Sequence, residues 1–168
     1  MAITKISDKG LPSGSVLQVV STAKTDTFSS ASATWTDLTG MSVAITPSAT
    51  SSKILILINL GSFITSHGNT RAQGLLLRGA TSIAEGDSAT GEECTFAFCG
   101  RTNDGAHHQF SASASFLDSP SSTSETTYKL QVQRGPDATG TVYVNRSGDQ
   151  DANSGNTVST ITVMEVAG

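Results

Sequence analysis

Residues 51–60, SSKILILINL, decide the fold. Between Lys53 and Asn59 lie five apolar residues in a row, Ile54, Leu55, Ile56, Leu57 and Ile58. The run is far below the ~20 apolar residues that a membrane-spanning helix needs. It reads as a strand, but a half-exposed strand alternates apolar with polar and this one does not. Ile54, Ile56, Ile58 and Leu60 fall on one parity, Leu55 and Leu57 on the other. Leu75, Leu76 and Leu77 break alternation in the same way. In an antiparallel sandwich one face of each sheet meets the other sheet and the second face is normally wet. Leu55, Leu57 and Leu76 are therefore expected at a contact with another subunit, a homotrimer. The alternative cover is a loop of the same chain.

Working outward, strand-like runs recur between clusters of Gly, Pro, Ser, Thr, Asn and Asp. They fall at residues 15–22, 34–38, 41–46, 53–65, 73–78, 95–99, 108–117, 127–134, 141–145 and 157–166. Two of them alternate cleanly. In residues 108–117, Phe110, Ala112, Ala114 and Phe116 oppose Gln109, Ser111, Ser113 and Ser115. In residues 127–134, Tyr128, Leu130 and Val132 point inward. No stretch longer than a turn has a helical period. The pattern predicts an all-β fold, an antiparallel β-sandwich of jelly-roll type, over residues 15–168. Residues 1–14 (MAITKISDKGLPSG) form a short extended arm, whose Ile3, Ile6 and Leu11 could anchor it to a partner.

Composition narrows the function. The chain has 168 residues and a net charge of -4, with only 10 Lys and Arg, too few for a basic patch that would hold nucleic acid. It has 25 Ser and 23 Thr against 36 Leu, Ile, Val and Phe together, a thin core for its size. A low net charge argues against disorder, so burial shared with neighbouring subunits is expected instead. Residues 1–14 lack the apolar segment of a signal peptide, and no run reaches membrane-spanning length, so synthesis in a cytoplasm and no membrane insertion are expected.

Candidate chemical sites are incomplete. Cys94 and Cys99 near His107 and His108 lack the spacing of a zinc site, and adjacent His residues on a strand point to opposite faces. Asp149, Asp151 and Asn153 alternate like the start of a calcium loop, but Ser154 stands where Gly is needed and Thr160 where Glu is needed. Neither metal nor other cofactor is expected. Asp87, Glu92 and Glu93 sit in a Gly/Ser-rich stretch rather than a dry cleft, and no GxSxG, HExxH or phosphate-binding loop occurs, so no catalytic residues are assigned. Trp35, Tyr128 and Tyr143 could stack on a sugar; core packing is the expectation for all three, with Trp35 the best candidate for an exposed platform.

Four segments carry a family resemblance: GLPSGSVLQVVSTAKTDTFS (residues 10–29), WTDLTGMSVAITPSATSSKILILINL (35–60), SFLDSPSSTSETTYKLQVQ (115–133) and STITVMEVAG (159–168). Together they resemble β-rich domains of virion proteins of tailed bacteriophages, particularly phages of marine and freshwater bacteria and cyanobacteria. The resemblance implies a trimeric, jelly-roll-like module on the virion surface. Such domains stand at the tips of tail fibres or alone. Residues 66–73, 86–107 and 148–156 are where this chain should be individual. A fibre carries a long shaft before its tip, whereas only residues 1–14 precede this sandwich. Direct docking follows, on the major capsid protein or another virion protein, as in capsid decoration, cement or head-fibre proteins. The alternative is a tail-fibre tip that binds a receptor or host surface glycan.

Overall fold

The computed structural model describes residues 11–66, 71–87, 94–99, 107–135 and 139–168, with Phe98 and Cys99 described by their backbone alone. Ile3, Ile6, Glu92 and Glu93, and parts of the loops at 66–73 and 86–107, lie outside these residues. The described residues contain strands and no helix. The strands are β1 (Val16–Lys24), β2 (Phe28–Ser30), β3 (Thr36–Ile45), β4 (Lys53–Leu60), β5 (Phe63–Thr65), β6 (Arg71–Arg78), β7 (Thr81–Ile83), β8 (Phe96–Cys99), β9 (Ala112–Asp118), β10 (Thr126–Arg134), β11 (Val142–Val144) and β12 (Ser159–Val166).

Every pairing is antiparallel. One sheet runs β1-β12-β4-β9; the second runs β3-β10-β6-β7, with β8 also on β6; a small third sheet runs β2-β11-β5. The two larger sheets share one core, as in a β-sandwich. Ile54, Ile56, Ile58 and Leu60 of β4, with Ile161 and Val163 of β12, enter it from the first sheet. Leu38, Met41, Val43 and Ile45 of β3, Leu76 of β6 and Tyr128, Leu130 and Val132 of β10 enter from the second. The alternation expected of β9 and β10 is present from Ala112 onward: Ala112, Ala114 and Phe116 pack against the core, and Tyr128, Leu130 and Val132 are fully buried, whereas Phe110, expected on the same inward side, precedes the strand and is 46% exposed.

Three elements depart from the sequence reading. The run at 53–65 is two strands in two sheets, broken at Gly61 and Ser62. A Cβ on Gly61 would stand 2.5 Å from the Val158 carbonyl oxygen, so only glycine lets the chains approach there. Conversely, residues 34–38 and 41–46 belong to one strand. Lys129 pairs with Ser42 and Gln131 with Asp37, so β3 spends three extra residues in a bulge. Gly40 takes φ +83° within it, which lets both Leu38 and Met41 turn inward despite their spacing of three. Trp35, just before β3, is half-buried and outside the core.

Polar groups at the core margins tie the sheets together. Glu165 lies on the inward parity of β12, 1% exposed. Its Oε1 accepts bonds from the Ser48 N–H (2.7 Å), the Ser48 hydroxyl (2.7 Å) and the Ser52 hydroxyl (2.6 Å), and its Oε2 accepts one from Gln18 Nε2 at 2.6 Å. The carboxylate thus holds the β3–β4 loop and β1 against the last strand. Burial alone would raise its pKa; the bonds from Ser48, Ser52 and Gln18 outweigh that and hold it below the ordinary carboxyl value. Across the sandwich, Asp118 of β9 accepts bonds from the Tyr128 hydroxyl (2.7 Å) and Arg78 Nη1 (2.9 Å) of the opposite sheet. Burial, and then the bond to Asp118, push the Tyr128 pKa far above its usual value. Asn145, fully buried at φ +61°, donates from Nδ2 to the Lys24 and Asp26 carbonyls and accepts from the Ser159 hydroxyl at 2.5 Å. The third sheet is thereby fixed to β1 and β12.

Glu165→Gln places an amide donor among four donors and should lower stability by about 2–4 kcal/mol in urea unfolding. Because the folded pKa is depressed, the carboxylate's contribution is complete above about pH 4.5 and is lost as pH falls through the lower folded value. The stability of Glu165→Gln should therefore fall less between pH 5 and pH 3 than that of the parent chain.

Candidate interaction face

The parity of β4 sets the outer face of the first sheet. With Ile54, Ile56 and Ile58 inward, Leu55 and Leu57 point out. Antiparallel register then lines up their neighbours. Val19 of β1 pairs with Met164 of β12, Met164 with Leu55 of β4, and Leu55 with Leu117 of β9. These four side chains form one apolar row across all four strands. Leu57 occupies the next row, beside Thr162 and Ser115. On the other side of the apolar row, Val16 pairs with Val166 and Val166 with Lys53.

The row is most exposed at its ends. Val19 is 55% and Leu117 48% exposed, while Leu55 and Met164 on the two inner strands are half-buried. Leu57 is 37% exposed, so no loop among the described residues covers it fully. Beyond the row the face becomes small and polar: Ser21, Thr162 and Ser115, then Ala23, Thr160, Asn59 and Ser113. The Ser21 and Thr162 hydroxyls bond to each other at 2.8 Å, which uses their polarity within the sheet. Lys53 is the one charged residue on this face among the described residues.

Leu76, expected with Leu55 and Leu57 at a subunit contact, sits elsewhere. It faces the shared core and has no exposed area, so its side chain offers no surface to another subunit. Its neighbours Leu75 and Leu77, on the opposite face of β6, are 7% and 6% exposed, covered by the chain itself. The two non-alternating leucine-rich runs thus have different causes. The run in β6 is buried on both faces by the chain, and the run in β4 leaves Leu57 partly exposed.

The remaining candidates are dispersed. Leu11 is half-buried and lines a groove of about 310 Å³ with Leu17, Ser48, Ala49, Ser52 and Ala167. Cys94 is half-buried. In the 148–156 loop, Asp151 Oδ1 accepts the Asn153 N–H at 2.8 Å and the Asp149 carbonyl accepts the Ser154 hydroxyl at 2.7 Å. His107 Nε2 stands 3.6 Å from Asp151 Oδ2, both exposed. Among the described residues no three His, Cys, Asp or Glu side chains converge as a metal site. Tyr143 lies under the Arg146 guanidinium, 4.5 Å from its ring centre. Sequence reasoning missed Val19, Met164 and Leu117, although each carried a signal: a large apolar residue on the outward parity of a strand.

No protein-family model matches the chain, and no curated protein matches it.

The two faces of β4 should separate in mutation. Leu57→Ser, at a partly exposed position, should change the stability of the isolated subunit by no more than about 0.5 kcal/mol. Ile56→Ala, at a fully buried one, should cost about 2–5 kcal/mol. Urea unfolding of dilute protein, followed by circular dichroism, reads both.

Proposed function

We propose that the protein is a non-enzymatic structural component of a tailed-phage virion. In this reading it is a homotrimeric jelly-roll module at the particle surface, docked on the major capsid protein or another virion protein as a decoration, cement or head-fibre protein. The observation that carries the reading is the order of strand pairing. Pairs form between β1 and β12, β3 and β10, β4 and β9, and β6 and β7, alternating between the two sheets. Successive pairs nested from the termini inward support a double Greek key, the arrangement of jelly rolls, which recur in viral capsid and lectin domains. The resemblance of residues 10–29, 35–60, 115–133 and 159–168 to phage virion domains points the same way. So does the apolar outer row, which an isolated soluble domain would gain nothing by exposing.

A second reading, a tail-fibre tip that recognises a receptor or host glycan, draws on Trp35. Its ring is half-buried outside the core, where a sugar could stack on it.

Particles stripped of the protein and mixed with purified full chain should rebind it saturably, with gold-labelled antibody decorating the head. Chain that ignores particles yet binds host cells or glycan arrays saturably, and loses that binding in Trp35→Ala, would overturn the first reading in favour of the second.

A further inference from the structure

We propose that the hollow beside the β3 bulge is a carbohydrate-binding site that takes one neutral sugar residue against Asp37, Lys129 and Trp35. The inference rests on the glycan-recognition reading above and adds to it the site and the class of sugar.

The bulge makes the space. Between the pairs Gln131–Asp37 and Lys129–Ser42, β3 carries three more residues than β10. There the second sheet has a hollow of about 320 Å³, at the lower end of the ~300–1,000 Å³ range of small-molecule sites. Tyr128, Leu130 and Val132 point into the core, so Thr127, Lys129 and Gln131 lie on the outer face of β10. Asp37, Ser42, Thr127 and Lys129 line the hollow.

The polar groups select the ligand. Lys129 Nζ donates to Asp37 Oδ1 at 3.0 Å and Oδ2 at 2.9 Å, and Gln131 Nε2 donates to Oδ1 at 2.7 Å. The bonds from Lys129 and then Gln131 hold the Asp37 pKa below the usual carboxyl value. The two charges cancel, so no net field draws an ion of either sign. An apolar ligand would strip water from both charges without replacing its hydrogen bonds. A neutral polyhydroxylated ring suits the pair as it stands. Its hydroxyls donate to the carboxylate and accept from the ammonium, each bond assisted by a charge. The Ser42 and Thr127 hydroxyls, which have no hydrogen-bond partner among the described residues, add a donor and an acceptor each.

Trp35 supplies the apolar half. It stands two residues before Asp37, about 6.6 Å away along an extended chain and on the same parity. It is half-buried outside the core. A sugar that hydrogen-bonds Asp37 through its edge can lay its C–H face on an indole at that separation. The chain has one Trp, so tryptophan fluorescence reads this site alone.

The test is titration of the full chain with methyl glucoside, methyl galactoside, methyl mannoside and N-acetylglucosamine, followed by the fluorescence of Trp35. At least one of the four should shift the emission saturably. Asp37→Ala and Lys129→Ala should each weaken that binding at least tenfold and keep the β circular dichroism, since both side chains are partly exposed. Thr127→Tyr, which fills the hollow from an exposed strand position, should abolish it and also keep the fold. Sialic acid and inorganic phosphate should give no saturable shift; saturation by either in preference to the neutral sugars would overturn the proposal. Sugar binding, by fluorescence or on a glycan array, that all three variants leave undiminished would overturn this site and leave the glycan reading standing. A parent chain that responds to none of the four sugars and to no glycan on the array would overturn both.

Discussion

The two-residue period of β4 is the constraint on which the rest depends. Its neighbours β12 and β9 flank it on either side, so its parity fixes the parity of the first sheet. Four inward side chains, Ile54, Ile56, Ile58 and Leu60, are all at or near zero exposure. Burying each is worth about 1.5–3 kcal/mol, a sum comparable to the whole stability of a typical domain. A slip of one residue would exchange this set for Leu55, Leu57 and Asn59, and no loop could recover the loss. The outer row is the consequence: once the isoleucines are committed inward, Leu55 and Leu57 stand on the outer face, half-buried and 37% exposed.

A core this committed still needs polar groups to close its ends. Glu165, Asp118 and Asn145 each carry several hydrogen bonds between segments distant in sequence. They join loops and edges that apolar packing does not reach. The edge of β3 is treated similarly, by side chains of β1: Thr22 donates to the Ser42 carbonyl at 2.9 Å and Gln18 to the Thr46 carbonyl at 2.7 Å. Those bonds occupy acceptors that would otherwise invite another strand.

Much of this was legible in the sequence, and the losses have physical reasons. Alternation revealed β9, β10 and the inward set of β4, because a period of two survives in any strand with one wet face. The three-residue strands β2 and β7 escaped notice, since Phe28–Ser30 and Thr81–Ile83 are too short to display a period. β3 read as two strands because its bulge interrupts the alternation at Gly40. Leu76, buried in the core, was read with Leu55 and Leu57 because apolar residues on both parities do not tell which neighbour covers each face. Glu165 was missed although its signal was present: it shares the parity of Ile161 and Val163, and a lone carboxylate on an apolar parity marks a buried hydrogen-bond hub.

The inward row of β4 folds the subunit, and the proposed homotrimer gives its outward row a second use. Light scattering on the unmodified chain, eluting from a sizing column at micromolar concentration, tests it most directly. A homotrimer has three times the 17.2 kDa chain mass, and a mass of one chain under those conditions excludes it.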